Sequence, residues 1–129
     1  MMAVAAAAAA IAAGLFHIVI FVLESFLWTR PATLRAFGID DPREAEATRG
    51  MAYNQGFYNL FLAVIAISGA ALALSGRAEP GTALILAGTG SMTAASLALL
   101  ASDHAKRGPA LKQMALPLLS LVLLALSAL

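Results

Sequence analysis

The sequence predicts an all-α integral membrane protein, a four-helix bundle of up-down topology with both termini on the outer side. Three observations carry this. Of 129 residues, 61% are hydrophobic and 12% charged, where soluble domains hold roughly 45–50% apolar and about 25% charged residues. Four apolar stretches reach the length of about 20 residues that a membrane-spanning helix needs. No stretch alternates with period two, so no strand pattern competes. The length points to a single domain.

The first helix is expected over about 3–28. It opens on an alanine run from Ala5 to Ala10, and no Lys or Arg precedes Arg30. A secretory signal peptide needs a cationic leader, so the stretch is read as the start of a membrane helix. Thr29-Arg30-Pro31 ends it, and a short interfacial helical turn is expected from Pro31 to Phe37, stopped at Gly38. Asp41-Pro42-Arg43-Glu44 sets an acidic cap, a proline at the first helical position and a glutamate at the third. The second long helix is therefore expected over about 42–75, its apolar part starting at Met51. The loop from Ser75 leads to a third helix over about 81–102. There Ala87, Ser91 and Ala95, and likewise Gly90, Ala94 and Ala98, recur every four positions, a spacing that lets helix backbones approach closely in lipid. Gly88-Thr89-Gly90 follows no strand and is read as packing, not as a phosphate loop. The last helix is expected over about 111–129, bent at Pro117, which cannot donate to the carbonyl of Gln113.

Membrane proteins keep Lys and Arg in their cytoplasmic loops. Arg30, Arg35, Arg43 and Arg49 in the first connection and Lys106, Arg107 and Lys112 in the third fall on one side; Arg77 stands alone on the other. Both termini should therefore face out. The net charge of +1 suggests no nucleic-acid partner. The lack of cysteine excludes disulfides, thiolate metal sites and thiol catalysis. The lipid bilayer is the expected partner, and a homo-oligomer is compatible with the pattern.

Polar groups within apolar helices are expensive and tend to be functional. His17 and Glu24 lie two turns apart on one face of the first helix. Counted from Trp28, Glu24 is roughly 6 Å and His17 roughly 16 Å deep. Tyr53, Asn54, Gln55, Tyr58 and Asn59 occupy the first membrane turns of the second helix. Antiparallel helices would bring both sets into the cytoplasmic half, as a polar pocket. His17 and Glu24 would be its catalytic acid–base pair, since burial favours the neutral form of each. Trp28, Asn54, Gln55, Tyr58 and Asn59 would bind the substrate. The plainer alternative is interhelical glue, with Glu24 paired to Arg30 or Arg49 and Trp28 and Tyr53 in an aromatic belt. Metal binding lacks a third strong ligand, because Asp103 and His104 fall at the membrane edge and amides ligate poorly. Haem would have only His17 as an axial ligand. No metal and no cofactor is expected.

The run from His17 through Glu24 to Trp28, with Ile18, Leu23 and Phe26 between them, resembles a bacterial membrane family known as a domain of unknown function (DUF1304). Asn54-Gln55-Gly56-Phe57-Tyr58-Asn59 is similar to its second hallmark, and Phe37-Gly38 extends the likeness. In the second half only Gln113 and Pro117 correspond, spaced one residue wider. The family often carries an acidic residue before the histidine; here it is Phe16. The resemblance implies a small four-helix protein of the bacterial cytoplasmic (inner) membrane and implies no activity.

Three functions compete. The first is binding or acid–base conversion of a small lipophilic molecule, for instance by an isomerase or cyclase. The second is a small-molecule or proton-coupled transporter, and the third an accessory or packing subunit. A cavity beside His17 and Glu24 would separate the first two from the third.

Overall fold

The computed structural model describes residues 1–128, and among these residues it is all helical. Helix α1 is Met2–Phe26, α2 Pro31–Phe37, α3 Pro42–Leu74, α4 Ala78–Ser102 and α5 Arg107–Ser127, with a 3₁₀ turn, His104–Lys106, before α5. The end expected for the last helix at Leu129 lies outside the described residues. Helix α1, helix α3, helix α4 and the stretch from the 3₁₀ turn through α5 are each long and apolar enough to cross a membrane. The long helices form a ring: α1 packs against α3 and α5, and α4 against the same two, while α1 and α4 barely touch across the diagonal. Neighbours run antiparallel, since Gly56 of α3 meets α1 at Glu24 whereas Gly14 of α1 meets α3 at Ala63 and Ile67.

Local chemistry sets the ends. Pro31 opens α2, and Gly38 closes it in the left-handed region at φ 68°, where a glycine carries no Cβ penalty. The Ile39 N–H then reaches back to the Leu34 carbonyl at 2.9 Å, the longer bond of a Schellman cap. Leu34, Ile39 and Ala45 make a small core there, with Trp28 and Phe37 against it. Asp41 caps α3 by accepting from the Arg43 N–H at 2.8 Å.

Three helix ends differ from expectation. Helix α1 stops at Phe26 rather than Trp28, because Arg30 precedes a proline and is extended (ψ 138°). That turn frees the Trp28 indole to cross to α3. Helices α4 and α5 begin at Ala78 and Arg107, before the prolines Pro80 and Pro109 that were read as loop. Proline is tolerated in a first turn, whose N–H groups have no intrahelical partner in any case. Helix α5 continues through buried Pro117.

The small-residue rows expected to pack α4 do not do so. Ala87, Ser91, Ala95, Ala94 and Ala98 face outward, and the buried face is Gly81, Ile85, Gly88, Thr89, Met92, Thr93 and Ser96. Several rows of small residues run along this helix with the same period, and the facing residues of α3 and α5 decide between them. The buried hydroxyls of Thr89, Thr93 and Ser96 donate to carbonyls one turn back, at 2.7, 2.8 and 2.9 Å. They are thereby satisfied without a neighbour.

Candidate functional site

Helix α1 buries His17, Ile20 and Glu24 on the face that carries Ala13 and Gly14 above them. At Glu24 the approach of α3 is close. A Cβ on Gly56 would collide with Ser25 Oγ and lie 3.0 Å from the Phe21 carbonyl oxygen and 3.2 Å from Glu24 Cβ. Ser25 Oγ also donates to the Tyr53 carbonyl at 3.0 Å, tying the two helices together. One turn further along α3, Asn59 Nδ2 donates to Glu24 Oε2 at 2.7 Å. Glu24 is 3% exposed, yet none of the ion pairs among the described residues involves it: Arg43 pairs with Asp41, Arg49 with Glu46 and Lys106 with Asp103. Glu24 also lines a cleft.

That cleft, of about 210 Å³, opens at the loop-rich end of the bundle. Among its lining residues Glu24, Ile39 and Ala52 are buried, Trp28, Phe37, Thr48, Lys106 and Gln113 are half-buried, and Glu44 and Gln55 are exposed. The Trp28 indole is held in place because Nε1 donates to the Ala45 carbonyl at 3.0 Å and to Thr48 Oγ1 at 3.2 Å. Phe37 stands edge-on to it at 5.2 Å. A second groove of about 210 Å³ runs between α1 and α5 and is bordered by Phe16, Val19, Ile20 and Leu23. Phe37, Pro109 and Gln113 line both cavities.

The structure brings Glu24, Trp28, Gln55 and Asn59 together and leaves three expected residues out. Asn54 and Tyr58 are exposed, Tyr58 by 63%. They share a row four residues apart, but it lies one residue, or about 100°, round the helix from that of Asn59, which is buried and bonds Glu24, and Gln55, which is exposed yet lines the cleft. His17 is sealed at 0% exposure and lines neither cavity. Its Nδ1 lies 2.9 Å from the Ala13 carbonyl of its own helix. A carbonyl can only accept, so Nδ1 carries the hydrogen. Nε2 is the one sealed side-chain polar atom without a partner among the described residues. His17 and Glu24 are separated by two turns, about 10 Å along the axis, so the two side chains do not meet, and among the described residues His17 bonds no amide of α3. The expected pairing of Glu24 with Arg30 or Arg49 is absent too.

Sequence reasoning missed Glu44, Thr48, Phe37, Ile39, Lys106 and Gln113 as lining residues. For Glu44 and Thr48 a signal existed. Positions 44, 48, 52, 55 and 59 step by four, four, three and four, so the row of Gln55 and Asn59 extends back along the polar start of α3. The others come from α2 and the connection after it, the 3₁₀ turn and α5, and only the tertiary arrangement brings them here.

These features define a class: an all-helical protein with four helices of membrane-spanning length and, at one end of the bundle, a largely apolar cleft that carries a few polar groups. Within it, the chain belongs to the family described as protein of unknown function (DUF1304), whose model matches residues 2–125. No curated protein and no solved structure matches the chain.

Proposed function

We propose that the protein is a polytopic protein of the bacterial cytoplasmic membrane that binds a small lipophilic molecule in the Glu24 cleft. The length and apolarity of four helices support insertion. The loop cations support an orientation with both termini out and the cleft open to the cytoplasm. The observation that carries the binding reading is the setting of Glu24: a buried side chain whose carboxyl is bonded by Asn59 on one oxygen, with no ion pair among the described residues, and which lines a cavity. A packing subunit would have a filled core here. A two-residue acid–base enzyme is less well supported, because His17 lies outside the cleft.

Trp28 is the sole tryptophan and lines the cleft, so its emission reports occupancy. In nanodiscs, titration with 1-dodecanol, dodecyltrimethylammonium and dodecyl sulfate should give a saturable change with at least one probe. That change should be lost in Ala52→Phe, which fills the cleft. Changes that never saturate and are identical in Ala52→Phe would overturn the reading. The chain has no cysteine, so single substitutions test orientation: Ser75→Cys should label from outside intact cells and Ala105→Cys only after lysis. The reverse pattern would invert the topology.

A further inference from the structure

We propose that the ligand is an amphiphilic cation, with a small ammonium-type head in the Glu24 cleft and a single apolar chain in the groove between α1 and α5, bound in exchange for a proton on Glu24. This rests on the reading of the cleft as a ligand site and adds the chemistry of its occupant.

Size and lining divide the ligand into two parts. The cleft's 210 Å³ is below the range of about 300–1,000 Å³ usual for a site that encloses a whole small molecule. The adjoining groove offers a similar volume and meets the cleft at Phe37, Pro109 and Gln113, which line both, and the two together fall within that range. Their chemistry differs. The cleft carries carboxylates, amides and an indole, while the groove is walled on the α1 side by Phe16, Val19, Ile20 and Leu23. A molecule spanning both has a polar head and an apolar chain.

Charge selects the head. Around the cleft, α1 contributes Glu24 and α3 contributes Glu44; α2, α4 and α5 contribute no charged group, and the 3₁₀ turn contributes Lys106. Lys106 is itself paired with Asp103 at 3.4 Å. Lys112 borders the groove and not the cleft. Two carboxyl groups, Glu24 and Glu44, thus face one ammonium that is already paired, and an anionic head is disfavoured. Trp28, fixed by Ala45 and Thr48, adds an aromatic surface of the kind that attracts cations.

No cation pairs with Glu24 among the described residues, and on this proposal a proton occupies the carboxyl while the cleft is empty. A bound cation takes over that role: the carboxyl O–H bond breaks, the proton leaves to water, and the carboxylate pairs with the head. The charge held at the site is the same before and after. Proton and ligand thus compete, and affinity falls as pH falls through the range in which Glu24 titrates, by up to about tenfold per pH unit.

The test compares three probes of equal chain length on the full protein in nanodiscs, read by Trp28 emission: dodecyltrimethylammonium, 1-dodecanol and dodecyl sulfate. The cation should bind at least tenfold more tightly than either, and only its affinity should weaken as pH falls. Glu24→Gln should lose both the preference and the pH dependence. Glu44→Gln, at an exposed position of the cleft's lining, should keep the pH dependence with a few-fold weaker affinity, and it guards against misfolding of the variant at the buried position. Val19→Phe, placed in the groove, should weaken dodecyltrimethylammonium but not the chainless tetramethylammonium. If dodecanol binds saturably and as tightly as the cation, at every pH, the cleft reading stands and the cation assignment falls. If none of the probes binds, both fall.

Discussion

The two ends of this bundle are built from the same four helices and behave differently. At the end holding Ala6, Ala7 and Ala10, the core is alanine with Ala70, Ile85 and Leu124. Backbones there touch almost directly: a Cβ on Gly81 would lie 2.7 Å from the Ala73 Cα. At the Glu24 end, one close contact at Gly56 is followed by a cleft. The difference lies in side-chain size and in α2. Small residues on facing helices leave no space, whereas Trp28, Phe37 and Ile39 hold the loop end apart and roof what lies below. Sealing is cheap where every side chain is small, and a cavity needs large residues propped by bonds of their own, as Trp28 is by Ala45 and Thr48.

The sharpest way to break this contrast is to add bulk at the sealed end. Gly81→Leu would drive its side chain against the backbone of Ala73, which cannot give as a side-chain tip can. Overpacking costs about 1–3 kcal/mol and sometimes more, and this site should lie at or above the top of that range. The expected outcome is a large fall in Tm by circular dichroism in detergent, or loss of the monodisperse species. Gly56→Ala carries the same logic to the cleft end with a smaller effect. Its Cβ meets Ser25 Oγ, a side-chain atom that can rotate, and then Phe21 O at 3.0 Å. A loss of about 1–2 kcal/mol is expected, with the Ser25–Tyr53 bond broken and Trp28 emission shifted as α1 moves from α3.

A matched pair of interhelical hydrogen bonds, one at each end, sharpens the comparison. Ser120 Oγ donates to the Ala6 carbonyl at 2.9 Å at the sealed end, and Asn59 donates to Glu24 at the cleft end. Such bonds average about 0.6 kcal/mol and rarely exceed about 1.7. Ser120→Ala should stay near the average, because the Ala6 carbonyl keeps its place in the α1 ladder. Asn59→Leu should cost more, about 1–3 kcal/mol, because it strips a buried carboxyl of its donor. Equal Tm losses would show that Glu24 does not depend on Asn59.

Much of this fold is legible in the sequence because the helices are long and punctuated. Pro42 after Asp41, Pro31 and Gly38 mark starts and stops by their own backbone chemistry. The inward direction of Glu24 and His17 follows from their cost on any outward face. What is not legible is any choice between equivalent rows. Asn54–Tyr58 and Gln55–Asn59 have identical spacing, as do the small rows of α4, and only the packed neighbour distinguishes them. The cleft walls are harder still, since Phe37, Lys106 and Gln113 are far apart in the chain. His17 was read as half of a pair because sequence shows a shared face and not what lies between. The structure leaves it bonded to its own helix, with Nε2 unsatisfied.

The smallest expected effect on stability is the most telling one. Glu24→Gln keeps the length of the side chain and an oxygen that can accept from Asn59 Nδ2, so the 2.7 Å contact has a partner in both forms. It adds an N–H₂ group that can reach the cleft and removes the only buried group of its lining able to carry charge. No ion pair is lost, because Glu24 makes none among the described residues. A Tm within about 1 °C of wild type, or slightly above it, is therefore expected, measured by circular dichroism in the same detergent. The ring of helices should be unaffected, since the close approach of α1 and α3 at Gly56 does not involve the carboxyl and the bond from Asn59 is kept. A Tm drop comparable to that of Asn59→Leu would mean that the carboxyl itself holds the bundle together through a bond the amide cannot make. Glu24 would then belong with Ser120 as a fastening between helices, and the contrast between a sealed end and a working end would vanish.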